Sequence, residues 1–576
     1  MENIVQGQWF RGPSADLGEP INQSLRFTSS GYLKRAQSSS GDGLISSNRT
    51  WTFSTWFKHG DMGETQIFGI HQASSDNWLV AWTSGASYDT FLSRDYTGWQ
   101  QYDSTQKFRD PNAWYHIFLT CSSGVMTMKV NNVARGGTVT QNHSMDRDFV
   151  LGAENNGGST PMDAYLAETY FIQGTVLHPV NDGFIRLNGD GVYVPDTPTI
   201  SSYGTNGWHL TYDSSQSNGI GHDSSGNGNH FTATGFDTTA ISSANRLNDI
   251  DIKDTPTSNY ATFNPLWHQL TPSLRGANMA LNTANTITGQ ATFRFPVGTT
   301  GKYWVEAGTA NSSATTNPPA LLLTSQLDAA GLSNESWSTT ANYSGLGAHI
   351  NAYYTNFNST TQNAFTKSTG QVALGINFDD QEVLMYHGGS LINTDTTVDF
   401  TKELALNIQQ PDTSYNTYQP YINAGQQTHI QSPPSGYVAL QTNNLPEPTI
   451  KNGKEHFDIY TYTSASTAAD ITFTGWEFQP DLVWFKCTSH GSSHRLYDSV
   501  RGVNKGIQSN TANAEGTDTD ALNSFDSNGF SLGTGNSDIN YDSRSFVAYG
   551  WKAGGTAVSN TNGTITSSVS ANTKAG

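Results

Sequence analysis

The sequence contains few charged residues and almost no cysteine. Only 13% of its 576 residues are charged, and the formal net charge is −19. A nucleic-acid ligand needs a basic surface that releases counterions, so this charge balance argues against one. Cys121 and Cys487 fall in different predicted domains, so we predict two unpaired thiols that pack as small core residues instead of a disulfide.

Long apolar segments are also lacking. No run of apolar residues approaches the roughly 20 needed to cross a bilayer, so we predict no membrane insertion. The chain begins at residues 1–3 without a basic region or an apolar run, so we expect no secretory signal. If the protein acts outside a cell, we expect it to be released by another route, such as lysis. Apolar residues do not recur at helical spacing, so we expect almost no helix.

Glycine and aromatic residues are abundant, which is typical of turn-rich β structure. The chain has 56 glycines, and 11% of its residues are aromatic. In the clearest segment, alternate residues of 115–121 and 126–130 are apolar, and Ser123-Gly124 separates the two runs. Side chains alternate between the faces of a strand, so this pattern predicts a hairpin with one buried face. We therefore predict an all-β fold of tandem antiparallel β-sandwich (jelly-roll) domains.

Several motifs resemble known families. The hairpin that opens with Trp114-Tyr115-His116-Ile117 and ends with Val130-Asn131-Asn132 resembles that of concanavalin A-like (laminin G-like) jelly rolls. Residues 254–266, DTPTSNYATFNPL, resemble a junction in tail and fibre proteins of marine bacteriophages, where a laminin G-like domain meets a SPRY-like one. Residues 301–306, GKYWVE, resemble a SPRY strand, and residues 475–486 resemble a β-rich module that recurs in those phage chains.

These resemblances imply an order of domains along the chain. The predicted parts are an attachment arm (1–20), a laminin G-like sandwich (21–245), a linker (246–269), a SPRY-like sandwich (270–450), a third β-rich module (455–555) and a Ser/Thr/Asn-rich tail (556–576).

The resemblance also implies a function in a phage virion. We expect a tail fibre or tail-associated adhesin, made in the host cytoplasm and located on the tail or exterior of the particle. Its sandwiches would bind host-surface glycan, and family analogy implies a homotrimer. Trp9, Phe10 and Arg11 in the arm would bind other virion proteins, although such an arm can also pack on its own domain.

Two other functions stay open. One is an architectural virion component, such as a capsid decoration or tail adaptor, that binds only other virion proteins. The other is a polysaccharide depolymerase. Glycosidases of this fold carry a Glu-x-Asp-x-Glu strand that aligns two carboxylates, and this sequence has no such string. Glu168, which faces outward in our register, and Glu306 lack partners nearby in sequence. We therefore predict no catalytic residues and no enzyme.

Aromatic residues among small polar ones are the candidate sugar contacts, because sugars bind to aromatic faces and neutral hydrogen-bonding groups. In the first sandwich, nearby aromatic residues can instead fill the core, and we assign Trp78 and Trp82 there. The five candidate sugar-binding residues are Tyr96, Trp99, Tyr102, Trp337 and Tyr353.

One loop is a candidate metal site. Residues 223–229, DSSGNGN, offer oxygen atoms of Asp223, Asn227 and Asn229 that could coordinate calcium. The same string also predicts an Asx turn, in which the aspartate bonds to its own backbone. We predict no other cofactor.

Overall fold

The structure of the chain is a computed structural model, and its described part is built almost wholly of antiparallel β-strands, which confirms the predicted fold class. Three short 3₁₀ helices occur there, at Gly219–Gly221, Thr442–Asn444 and Gly453–Glu455. None of the helices found in this part could span a bilayer. The described residues are 16–28, 30–36, 49–60, 65–72, 75–83, 90–95, 100–103, 107–140, 148–153, 162–241, 247–265, 273–275, 277–282, 287–309, 320–324, 348–350, 354–356, 362–364, 371–410, 420–446, 450–465, 469–554 and 556–572.

The first sandwich consists of two sheets. Sheet A has the strand order β1-β12-β3-β8-β9-β10, with β15 paired to β12, and sheet B has the order β16-β2-β11-β4-β5-β6-β7. A separate hairpin is formed by β13 and β14. The strands are β1 (Leu25–Phe27), β2 (Tyr32–Arg35), β3 (Trp51–His59), β4 (Thr65–Gln72), β5 (Ser75–Thr83), β6 (Thr90–Asp95), β7 (Gln100–Asp103), β8 (Trp114–Ser122), β9 (Val125–Val130), β10 (Val133–Thr140), β11 (Asp148–Leu151), β12 (Ala164–Gln173), β13 (Ile185–Leu187), β14 (Tyr193–Pro195), β15 (Trp208–Leu210) and β16 (Thr232–Thr234).

The predicted hairpin is β8–β9, and its buried face is the one that the alternation indicates. Residues 115, 117, 119 and 121 of β8 and residues 126, 128 and 130 of β9 all lie in the core between the sheets. The turn contains Ser123 and Gly124 at positive φ, and Asn131 and Asn132 adopt the left-handed backbone of the next turn. Across the core, the ring of Phe53 in sheet A stacks on that of Phe68 in sheet B at 4.5 Å.

The second sandwich packs an eight-stranded sheet on a six-stranded one. The larger has the order β17-β18-β29-β20-β25-β26-β27, with β30 paired to β20, and the smaller has the order β19-β28-β21-β22-β23-β24. Their core includes Phe293, Val305, Leu374 and Leu406. The strands are β17 (Ser273–Arg275), β18 (Ala280–Asn282), β19 (Ile287–Phe295), β20 (Lys302–Thr309), β21 (Ala320–Thr324), β22 (Ala348–Ile350), β23 (Tyr354–Asn356), β24 (Gln362–Ala364), β25 (Gln371–Asn377), β26 (Glu382–His387), β27 (Ser390–Asp395), β28 (Leu404–Gln410), β29 (Pro420–Asn423) and β30 (Val438–Ala439).

The third module has its own core. Described residues from 450 onward form a compact unit separate from the one that contains both sandwiches. Its six-stranded sheet has the order β31-β39-β33-β34-β35-β36, its three-stranded sheet the order β32-β38-β37, and Phe485 meets Phe530 between them. The strands are β31 (Phe457–Thr463), β32 (Ile471–Thr474), β33 (Leu482–Cys487), β34 (Arg495–Asp498), β35 (Lys505–Gln508), β36 (Gly516–Thr517), β37 (Leu522–Asp526), β38 (Gly529–Leu532), β39 (Ser545–Trp551), β40 (Val558–Asn560) and β41 (Ser567–Val569).

The outer face of sheet A is covered, so β3 is buried on both sides. At one end of this face, Trp56, Trp114 and Tyr165 pack with Ile252 and Met279, which come from the predicted linker and the second sandwich. The predicted linker, 246–269, thus contributes to a buried interface between the two sandwiches.

A charged cluster is sealed inside that interface. Lys58 Nζ donates to Asp254 Oδ2 at 2.6 Å and to Asn259 Oδ1 at 2.7 Å, and Trp114 Nε1 donates to Asp254 Oδ1 at 3.1 Å. The side chains of Lys58 and Asp254 are both fully buried. We call Lys58, Trp114, Asp254 and Asn259 the Lys58 cluster. A buried charge is costly unless it is paired and hydrogen-bonded, and here both ions are.

Candidate functional site

A strained bulge interrupts sheet A on the same outer face. The register between β12 and β3 shifts between Ala167 and Tyr170, and Glu168 within this bulge has a φ of 46°. Positive φ is sterically unfavourable for a residue with a Cβ atom, and such strain concentrates at functional sites. Bulges also re-aim side chains beside active sites. The bulge and the positive φ therefore make Glu168 a candidate functional residue.

The Glu168 carboxylate is held by two donors on one oxygen. Its Oε2 accepts from the Tyr170 hydroxyl at 2.8 Å and from His209 Nε2 at 2.6 Å, while the other oxygen, Oε1, accepts no bond from a described residue. The Tyr170 and His209 rings stack with centroids 4.0 Å apart, which fixes both donors. Burial, together with the Glu168 charge, raises the pKa of Tyr170 well above its usual value, so its hydroxyl remains a donor.

A serine and a histidine are paired on the neighbouring strands. Ser54 of β3 lies with its Oγ 2.8 Å from His116 Nε2 of β8. Burial lowers the pKa of His116 to about 3, so the ring is neutral near pH 7. Its Nδ1 is buried and has no hydrogen-bond partner within the described part of the chain.

These side chains line one pocket of about 170 Å³. The sheet supplies its floor, and an N-terminal segment and the chain after β14 supply its walls. The Glu19 backbone N–H bonds to the Pro195 carbonyl, so the two walls are joined. The lining residues are Glu19, Pro20, Ile21, Ser54, Trp56, His116, Glu168, Tyr170, Phe184, Pro195, Asp196, Thr197 and Pro198; we call this the Glu168 pocket.

The Glu168 pocket combines apolar walls with a few converging polar groups, as small-molecule sites do. Three acidic residues, Glu19, Glu168 and Asp196, are among its lining residues. The volume is below the roughly 300–1,000 Å³ of sites for drug-sized ligands. The pocket is therefore suited to a small ligand that donates hydrogen bonds.

Most of the predicted sugar and arm residues lie outside the described part of the chain. These residues are Trp9, Phe10, Arg11, Tyr96, Trp99, Trp337 and Tyr353. Tyr102 belongs to β7, where it pairs with Ser93 of β6, but its side chain also lies outside that part. All of these assignments stay predictions.

The 223–229 loop is held together by its own polar groups. The buried Asp223 carboxylate accepts the backbone N–H of Ser225 at 2.9 Å, which is the predicted Asx turn, and that of Asn229 at 2.8 Å. The carboxamides of Asn227 and Asn229 donate to the Gly207 carbonyl. Among the residues that the structure describes, no three His, Cys, Asp or Glu side chains group as metal ligands. Calcium binding by the loop stays a prediction.

The same loop positions part of the pocket. Asp223 Oδ1 accepts the backbone N–H of His209 at 2.9 Å, and His209 in turn holds Glu168. The loop thus supports the Glu168 pocket through β15.

Glu306, the other strand glutamate, has a structural role. It lies buried in β20, and its carboxylate accepts the backbone N–H groups of Ile430 at 3.0 Å and Gln431 at 2.6 Å. Burial raises its pKa to about 7. It fixes a loop of the second sandwich.

Sequence reasoning missed the pocket, although it identified some of its residues for other reasons. His116 was part of the motif that resembles concanavalin A-like hairpins. Glu168 was correctly predicted to face outward from its strand. The available signal was a single carboxylate within the apolar run 164–172. Its partners Tyr170 and His209 could not be assigned to it without the strand pairing.

Comparison with known proteins identifies the class of the first sandwich. Residues 29–177 match the family model of the concanavalin A-like lectin/glucanase superfamily, which confirms the predicted fold of this domain. Residues 452–576 match a family described as a domain of unknown function. No match was found among curated proteins.

Similar solved structures each correspond to part of the chain. A SAP-like pentraxin from Limulus polyphemus is 15% identical over 28% of this chain and 80% of its own, with a TM-score of 0.23. A Bacteroides ovatus protein, provisionally described as carbohydrate-binding, is 14% identical over 38% of this chain and 59% of its own, with a TM-score of 0.27. The SPRY domain of human HERC1 is 14% identical over 29% of this chain and 99% of its own, with a TM-score of 0.22.

Proposed function

We propose that this chain is a phage virion protein, a tail fibre or tail-associated adhesin, whose β-sandwich modules contact host-surface carbohydrate. The observation that carries the proposal is a concanavalin A-like lectin/glucanase domain at 29–177, followed by a segment, 254–266, that resembles the junction of marine phage tail proteins. The Glu168 pocket supplies a place on that domain for a small polar ligand.

Binding of this kind needs several copies. A shallow sugar site binds with a dissociation constant of about a millimolar, or about −4 kcal/mol. Simultaneous binding by several sites raises the overall affinity by about 10²–10⁴ without a new contact. We propose a homotrimer, attached to other virion proteins through Trp9, Phe10 and Arg11, as the source of those copies.

The test is competition for the host surface. Host cells are incubated with the purified full-length protein, and phage adsorption is then measured. We expect adsorption to fall in a dose-dependent way, with heat-unfolded protein as the control. If native protein leaves adsorption unchanged at concentrations well above about 10 μM, the weakest affinity that multivalent binding would give to millimolar sites, the adhesin function is wrong.

Two further measurements separate the alternative functions. Electron cryo-microscopy of the particle should show the sandwiches projecting outward, whereas an architectural component would lie packed among other virion subunits. Reducing-sugar release from host polysaccharide would indicate a depolymerase, and the carboxylates of Glu19, Glu168 and Asp196 would be its first candidates.

A further inference from the structure

We propose that the Glu168 pocket is a binding site for one uncharged sugar ring, with the Glu168 carboxylate as the acceptor for its hydroxyl groups. This inference rests on the proposed function and gives it a site and a ligand class.

The Glu168 carboxylate is held in one orientation, but only one of its two oxygens accepts hydrogen bonds from described residues. Tyr170 and His209 both bond to its Oε2, so the carboxylate has a fixed direction, and Oε1 remains without a donor among the described residues. Its side chain is 23% exposed, whereas the Lys58 and Asp254 side chains on the same sheet face are fully buried. A structural carboxylate would not need a strained backbone to reach a pocket, so this arrangement indicates a ligand contact.

The charge of the walls selects against anions. Glu19, Glu168 and Asp196 line the pocket, and no lysine or arginine occurs among its described lining residues. An anionic sugar would bring a further negative charge beside these carboxylates, and like charges brought together are strongly unfavourable. A hydroxyl group instead donates to a carboxylate and forms a charge-assisted hydrogen bond.

A bound metal ion fits the walls less well. A hard cation such as calcium takes six to eight oxygen ligands. The structure groups no three acidic, histidine or cysteine side chains at metal-binding distance within its described part. The acceptors therefore suit spaced hydroxyl groups better than a single ion.

The other polar and apolar groups suit a ring. His116 also lines the pocket, and among the described residues its buried Nδ1 has no hydrogen-bond partner, which a ligand hydroxyl or a water molecule would supply. Trp56 and Tyr170 are also lining residues, so aromatic rings border the space that the C–H groups of a sugar would occupy. At about 170 Å³ the pocket holds a small ligand, not an extended chain.

The experiment is saturation-transfer NMR on the full-length protein. The probes are the methyl glycosides of glucose, galactose and mannose, with methyl glucuronide as the anionic probe and methyl glucosaminide as the cationic one. We expect signal transfer to at least one neutral glycoside and none to the glucuronide. Binding of no neutral glycoside, or equal binding of the glucuronide, or preferred binding of the glucosaminide, would overturn the proposal.

Two variants locate the site. Glu168→Gln keeps the side-chain size and removes the charge, and we expect it to weaken neutral-sugar binding by about tenfold or more. Thr197→Trp fills the rim at an exposed position without altering Glu168, and we expect a comparable loss. Glu403→Gln, in an exposed ion pair of the second sandwich, is the matched control and should bind like wild type. Normal binding by both pocket variants would place the sugar elsewhere.

The two proposals fail in different ways. If wild type blocks phage adsorption and Glu168→Gln blocks equally well, the pocket assignment is wrong while the adhesin function stands. If neutral sugars bind in a Glu168-dependent way but adsorption is not blocked, the pocket assignment stands and the adhesin function is wrong. Circular dichroism and a thermal unfolding curve for each variant show that it is folded.

Discussion

Two polar clusters lie on the outer face of sheet A and differ in how completely they are satisfied. In the Lys58 cluster, both ions are fully buried, and each is bonded to more than one partner. In the Glu168 pocket, one carboxylate oxygen lacks a donor within the described part, and the backbone beneath it is strained. The first cluster joins two domains, and the second leaves bonding capacity beside a cavity. Incomplete satisfaction therefore distinguishes the candidate binding site from a structural one on the same surface.

The largest effect is expected at the Lys58 cluster. Lys58→Ala leaves the buried Asp254 charge without its cation, so we expect the free energy of unfolding to fall by about 3–5 kcal/mol. Denaturant unfolding followed by tryptophan fluorescence measures this. Lys402→Ala, which removes an exposed partner of Asp399, is the control and should cost less than about 1 kcal/mol. Equal effects of the two variants would contradict the role given to the cluster.

A second effect is the pH dependence that buried His116 imposes. Its pKa falls from 6.5 to about 3 on folding, so between these values the unfolded chain binds a proton that the folded chain does not. Its contribution is fully present above pH 6.5 and is lost as the pH falls towards 3; at pH 5 the loss is about 2 kcal/mol. Thermal unfolding between pH 4 and 8 should therefore show a weaker pH dependence in His116→Gln. An unchanged slope would contradict this assignment.

The strain at Glu168 should appear in a comparison of two truncations. Glu168→Ala and Glu168→Gly both delete the carboxylate, but only glycine accepts a φ of 46° without a Cβ penalty. We expect the glycine variant to be more stable than the alanine variant by about 1 kcal/mol in denaturant unfolding. If alanine is the more stable of the two, the bulge is not strained.

The smallest stability effect is expected from Glu168→Gln. The side chain is partly exposed and Gln can still accept a hydrogen bond from Tyr170, so the free energy of unfolding should change by less than about 1 kcal/mol. If Glu168→Gln loses sugar binding while its free energy of unfolding changes this little, the loss of binding is not caused by a loss of stability. A loss as large as that of Lys58→Ala would instead make Glu168 a structural residue.

The fold could be predicted from the sequence because its signals are local. The alternation around Ile117 and Met128 and the turn residues Asn131 and Asn132 depend only on neighbouring positions. The Glu168 pocket could not be predicted from the sequence, because apolar residues occupy both faces of β12 and the pattern does not tell the two faces apart. Leu166 and Phe171 both point into the core although they differ by an odd number of positions, which requires the bulge. With apolar residues on both sides of Glu168 and Thr169, the sequence does not show where such a shift falls.

The wall formed by the N-terminal segment has a mechanical consequence. Glu19 lines the pocket and bonds to Pro195, while Asp16, three residues earlier, is paired with Arg186. A load applied at residue 16 would therefore reach the pocket wall through that ion pair and the Glu19–Pro195 hydrogen bond. Because coupling between two sites acts in both directions, a ligand bound in the proposed site would in turn change how firmly residues 16–21 are held against the first sandwich.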